Sequence, residues 1–191
     1  MQVKKPRDII IYLALHLNSG KGSDGSLVIL GIDPGYAIVG FAALAAEKGQ
    51  VQFMSCGAIN TEAGIPMPQR LLRIAEDLES LISRFQPDAL AIEELFFYQN
   101  VTTGIGVAQA RGVIIMTAAR LGVPIFEYTP SQVKQAVTGY GKAEKRQVME
   151  MTRKLLHLSS VPKPDDAADA VAIALCHAQC AASRLGKYFN Q

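Results

Sequence analysis

The apolar residues of this chain change period once, and that change limits what it can fold into. Leu27–Asp33 and the stretches 37–45 and 51–59 are short apolar runs, parted by Pro34-Gly35 and by Glu47-Lys48-Gly49. Short apolar runs bounded by turn residues predict three sequential strands joined as an antiparallel meander. From Pro68 the spacing turns helical, with Leu71, Ile74, Ala75, Leu78, Leu81, Ile82 and Phe85 on one face as far as residue 85. Pro87 then stops the helix. A short buried strand is expected over Ala89–Glu93, a helix rich in small residues over 108–121 and a fifth strand over 123–128.

Thr129-Pro130-Ser131-Gln132 has the form of a capping box, with threonine before proline and glutamine at the third helical position. The short helix it opens stops at Gly139-Tyr140-Gly141, an amphipathic helix follows over about 143–156, and a last helix covers about 165–183. A meander followed by alternating helix and strand gives an α/β fold with a mixed five-stranded sheet flanked by helices on both faces. That is the element order of the RNase H-like fold.

The 191 residues suit one domain. The core domain is expected over 27–185, with a tail over 186–191. Residues 9–17 are apolar and follow Lys4, Lys5 and Arg7, but they are too few to span a bilayer, and no small-x-small cleavage site follows. Residues 18–26 have linker composition, so 1–26 are expected to be a flexible N-terminal extension. Three cysteines, Cys56, Cys176 and Cys180, give no disulfide framework, and a reducing, cytoplasmic setting fits. Cys176, His177 and Cys180 lack a second ligand pair of zinc type, so they are expected to pack as helix residues. The net charge of +2 hides a local basic stretch, with Lys134, Lys142, Lys145, Arg146, Arg153 and Lys154 against Glu144 and Glu150.

Four acids stand where apolar cores rarely tolerate them. Asp33 closes the first core strand, Glu93 closes the fourth, and Asp166 and Asp169 open the last helix three residues apart, on one face. Carboxylates gathered beside apolar neighbours repel one another and resist ionisation, and a divalent cation with a preference for oxygen removes that penalty. Where the two strand ends meet the helix start, two Mg²⁺ about 3.5–4 Å apart could activate a water and stabilise the departing oxygen of a phosphodiester. Glu94 follows Glu93 and would point to the opposite face of a continued strand; spacing alone does not choose between them.

Leu30-Gly31-Ile32-Asp33-Pro34-Gly35, Ala91-Ile92-Glu93, Gln109-Ala110-Arg111-Gly112, Phe126-Glu127-Tyr128, Gln132-Val133-Lys134-Gln135, Ala143-Glu144-Lys145 and Asp166-Ala167-Ala168-Asp169-Ala170 together resemble the RuvC family of crossover junction endodeoxyribonucleases, over about residues 27–177. The resemblance implies Asp33, Glu93, Asp166 and Asp169 as catalytic metal ligands, and so Glu93 rather than Glu94. It implies two Mg²⁺ per site, with Mn²⁺ as a substitute, and four-way junction DNA as substrate, cut by symmetric paired nicks in recombination and repair. Phe96 is implied to stack on or wedge against a junction base, and Lys134 and Lys145 to contact phosphates. A homodimer is implied too, working with a junction-binding and branch-migrating complex of RuvA–RuvB type. Gly104, Gly106, Ala108, Ala110, Gly112, Ala118 and Ala119 would let a second helix approach closely, or pack inside the monomer.

Three rivals compete. Actin-like ATPases also open with a strand ending in Asp-x-Gly, but they need two such domains, and no phosphate loop is present here. A non-catalytic junction binder gains nothing from four carboxylates near phosphates. A related nuclease acting on RNA–DNA hybrid would share the pocket, and only the basic stretch, Phe96 and the dimer separate it from a resolvase.

Overall fold

The computed structural model describes residues 10–13, 25–95 and 101–183. Strands β1 (Ile10–Leu13), β2 (Leu27–Asp33), β3 (Ile38–Glu47), β4 (Gln50–Asn60), β5 (Ala89–Glu93) and β6 (Ile125–Tyr128) form one sheet in the order β1-β4-β3-β2-β5-β6. The β2–β3–β4 meander is antiparallel, and β5 and β6 add to β2 as parallel strands. These are the five expected strands. The sixth, β1, falls inside the 1–26 segment. It pairs antiparallel with β4, Ile10 opposite Ala58 and Leu13 opposite Ser55. The outer edge of β4 offers unpaired backbone groups, and Ile-Ile-Tyr-Leu is a sequence of high strand preference.

Helices α1 (Met67–Phe85) and α2 (Val101–Arg120) cover one face of the sheet, and α3 (Pro130–Thr138), α4 (Lys145–Leu155) and α5 (Asp165–Ala182) cover the other. Strand alternation divides the core accordingly. Leu30, Ile32, Val39, Phe41, Leu90 and Ile92 pack with Ile74, Leu78, Ala110 and Ile114 of α1 and α2. Ile29, Ala42, Leu44 and Ala91 pack with α5. The expected Thr129 capping box is present: the Thr129 hydroxyl accepts from Gln132 N–H at 3.1 Å, and the Gln132 amide oxygen accepts from Thr129 N–H at 2.8 Å. α2 starts seven residues before the expected 108, at Val101. Among the described residues, no helix is long and apolar enough to cross a membrane.

Two glycines set how closely α5 lies on the sheet. A Cβ on Gly31 would come within 2.3 Å of the Ala170 carbonyl oxygen, and one on Gly40 within 2.0 Å of that of Asp166. Both neighbours are backbone, so neither can swing aside. Gly40 stands opposite Asp33 in the β2–β3 ladder. The missing side chain therefore lets the first turn of α5 settle beside the end of β2. Gly40→Ala should lift that turn, lowering stability by about 1–3 kcal/mol as overpacking does and moving Asp166 away from Asp33. Thermal denaturation of the variant reads the first effect, and an unchanged melting temperature would show that α5 yields without strain.

Candidate active site

Asp33 and Glu93 are the last residues of neighbouring parallel strands, whose register runs Gly31 opposite Ala91 and Ile32 opposite Ile92. The next position on each strand brings the two acids level, on the α5 side of the sheet. Asp166 lies in the first turn of α5 and Asp169 one turn on. The backbone of the first turn rests on Gly40, next to Asp33. The structure thus brings the four sequence-selected carboxylates to one end of the sheet. Glu94 departs from them: its N–H donates to the Tyr128 carbonyl at 2.8 Å, continuing the β5–β6 pairing.

The electrostatics bear out their closeness. Burial, then the negative charges of Asp169, Glu93 and Asp166, push the Asp33 carboxyl up to about 7, although Lys145 opposes them. Burial and Asp169 also raise Glu93, against Lys134 and Lys145. Lys145, the first residue of α4, places Nζ 2.7 Å from Asp169 Oδ2. Burial works against its charge, but that hydrogen bond and the charges of Asp169, Asp165 and Asp33 hold its pKa above the ordinary lysine value. Lys134 lies on α3, within electrostatic reach of Glu93. Phe96 lies outside the described residues.

The loop leaving Asp33 is held from behind. Thr61 Oγ1 donates to the Tyr36 carbonyl at 2.7 Å, and the Arg70 guanidinium lies 5.6 Å from the centre of the Tyr36 ring. A Cβ on Gly106 of α2 would meet that ring at 2.9 Å. Tyr36 therefore ties the Asp-Pro-Gly turn to α1 and α2.

The donor set suits a hard divalent cation: all four side chains offer carboxylate oxygens, and crowding makes their negative charge costly without a counter-ion. Among the described residues, however, no three His, Cys, Asp or Glu side chains are already gathered into a metal-holding group. Like charges repel, and the Asp169 carboxylate is turned to the Lys145 ammonium. Sequence reading took Lys145 only as a phosphate contact. Its partnership with Asp169 joins residues 24 apart in sequence, and no spacing rule exposes it.

Cys176 is buried, and the buried His177 shares a hydrogen bond between its Nδ1 and Tyr128 Oη at 2.7 Å. Burial holds His177 down to about 4, so the ring is neutral and serves as packing.

Residues 29–177 match a family model described as Crossover junction endodeoxyribonuclease RuvC. The Brevibacillus brevis protein called Crossover junction endodeoxyribonuclease RuvC is 58% identical over 79% of this chain and 91% of its own length. The Rubrobacter xylanophilus protein of the same name is 53% identical over 87% of this chain and 95% of its own. Thermus thermophilus RuvC, solved in complex with a Holliday junction substrate, superposes with a TM-score of 0.78 at 37% identity, over 84% of this chain and 96% of that one. With Asp33 and Glu93 at the strand ends, Asp166 and Asp169 at the start of α5 and the family match running through all four, the chain belongs to the RuvC family of crossover junction endodeoxyribonucleases.

Proposed function

We propose that this nuclease resolves four-way DNA junctions by paired, symmetric nicks, with a divalent-metal site built from Asp33, Glu93, Asp166 and Asp169. The observation that carries the reading is the meeting of the β2 and β5 ends with the start of α5, where burial and then three neighbouring acids raise the pKa of Asp33. These four side chains would hold two Mg²⁺, or Mn²⁺ in their place. Bound cations supply Lewis-acid stabilisation of the phosphodiester's developing charge and activation of the attacking water.

The protein's own groups do the rest. The raised Asp33 carboxyl holds its proton more readily than a free one while no cation is bound, and a bound cation would compete with that proton. Lys145 is paired with the Asp169 carboxylate, and is positioned to pass from it to a DNA phosphate. Lys134, beside Glu93, holds a phosphate at the same pocket. Phe96 follows β5 by three residues and would meet the junction bases there.

Paired nicks call for two sites of opposite facing, and α2 offers a face for a second copy. Ala110, Ile114 and Ala118 are buried inside the monomer, so part of the small-residue stripe serves the core. Ile105, Gln109, Gly112, Met116 and Ala119 stay exposed along the opposite side, at helical spacing. An exposed stripe that includes Ile105 and Met116 suits a homodimer. In a bacterial cytoplasm the dimer would act on junctions held by a RuvA–RuvB type complex.

The test is cleavage with Mg²⁺ of a synthetic four-way junction, beside linear duplex and RNA–DNA hybrid of matched sequence. Paired nicks confined to the junction are expected. Cutting of the hybrid instead would keep the carboxylate chemistry and move the chain to another nuclease branch.

A further inference from the structure

Arg111 belongs to one of the sequence motifs, yet the chemistry above gives it nothing to do. It sits mid-helix on α2, on the sheet face away from α5, with its side chain only 17% exposed. Its Nε donates to the backbone carbonyl of Glu93 at 3.2 Å, and its Nη2 bonds the carboxylate of Glu127 on β6. Glu127 precedes Tyr128, the residue level with Glu93 in the β5–β6 register. One guanidinium therefore ties three elements together at the point where β5 ends.

We propose that Arg111, braced by Glu127, is a positioning residue for Glu93: it fixes the last peptide of β5 and so aims the Glu93 carboxylate at the metal pocket. The inference rests on the resolvase reading for its catalytic consequence, and on the fold alone for its geometry. Two features favour it over simple packing. The bond goes to the backbone of the acid itself, at the last residue of its strand. Arginine is also the side chain whose rigid fork serves a carbonyl and a carboxylate at once; lysine, a point charge on a flexible stem, holds one of them without fixing the angle between them. Groups that orient a metal ligand typically change metal affinity or activity by about 10–100-fold when removed, and small misplacements at a reacting centre act on the same scale.

The experiment compares Arg111→Met, Arg111→Lys and Glu127→Gln with the wild type in the full chain. Junction affinity without cutting, single-turnover cleavage rate, and Mg²⁺ binding followed by thermal shift without DNA are measured for each. Arg111→Met should keep junction affinity within about twofold, lower the cleavage rate about tenfold or more and weaken Mg²⁺ binding severalfold. Arg111→Lys should recover part of both losses. Glu127→Gln, at a half-exposed position, should move both in the same direction by less. Wild-type rate and Mg²⁺ binding in Arg111→Met would overturn the proposal. So would losses that merely follow melting temperature and junction affinity through the series. Should Arg111→Met fail to fold, unchanged Mg²⁺ binding in both Arg111→Lys and Glu127→Gln would overturn it equally. If the wild type cuts no junction, the resolvase reading falls, and the Mg²⁺ comparison still decides the role of Arg111.

Discussion

Asp169→Asn should abolish junction cutting while leaving junction binding intact or slightly stronger. The substitution keeps the size of the side chain and removes one negative charge from the pocket. Asp169 heads the list of charges that raise Asp33, and it also raises Glu93, so its loss relieves repulsion in the free protein. In the proposed metal site it equally removes a ligand. Lewis-acid stabilisation of a phosphoryl centre contributes several kcal/mol, and each 1.36 kcal/mol is tenfold in rate, so a loss of roughly a thousandfold or more is expected. Binding should move the other way. The Lys145 ammonium, 2.7 Å from Asp169 in the native chain, is released to a phosphate, and one repulsive charge is gone. Single-turnover cleavage and fluorescence anisotropy on the same junction measure the two effects. A folded Asp169→Asn protein that no longer binds the junction would show that Asp169 holds DNA through Lys145 rather than metal.

That separation of roles was only partly legible in the sequence. Local rules carried the fold well: the switch from short apolar runs to helical spacing at Pro68, the Thr129 capping box and the Pro87 stop all correspond to observed elements. Strand alternation also identified Glu93 and Glu94 as pointing opposite ways, and the β5–β6 pairing shows Glu94 leaving the pocket. What escaped were consequences of packing between distant segments. β1 pairs with the edge of β4, and although residues 10–13 have strand preference, nothing local in them names that partner. Gly31 and Gly40 read as ordinary strand residues until α5 is laid on them. Lys145 finds Asp169, and Arg111 finds Glu93, across gaps of 24 and 18 residues. A buried-looking arginine in a helix of small and apolar residues was the available signal for the second. Phe96 lies outside the described residues, so its expected place at the junction rests on the family resemblance.

The metal-free protein should also show an inverted pH dependence of stability at Asp33. Its carboxyl titrates near 7 in the fold, against 3.8 in the absence of these surroundings. Between those values the folded chain holds a proton that the unfolded chain has released, so stability falls as pH rises from about 4 to about 7. A gap of about three pKa units corresponds to a destabilisation on the order of 4 kcal/mol, complete above pH 7 and absent below pH 4. His177 works against it in part of this window. Held near 4 by burial, it binds fewer protons in the fold than when unfolded, and so adds stability as pH rises from about 4 to 6.5. In the wild type alone the contributions of Asp33 and His177 therefore oppose each other between about pH 4 and 6.5. The difference between wild type and Asp33→Asn isolates the carboxyl, because His177 titrates alike in both. In EDTA, Asp33→Asn should gain on the wild type steadily from pH 4 to 7, by about 10 °C in melting temperature for a chain of this size. Mg²⁺ should erase most of that gain above pH 7, since a cation bound only by the folded state stabilises the wild type and finds one ligand fewer in the variant. A constant difference between the two proteins across the pH range would mean that Asp33 is ionised in the fold near its ordinary pKa, and that the carboxylates stand farther apart in solution than their positions here require.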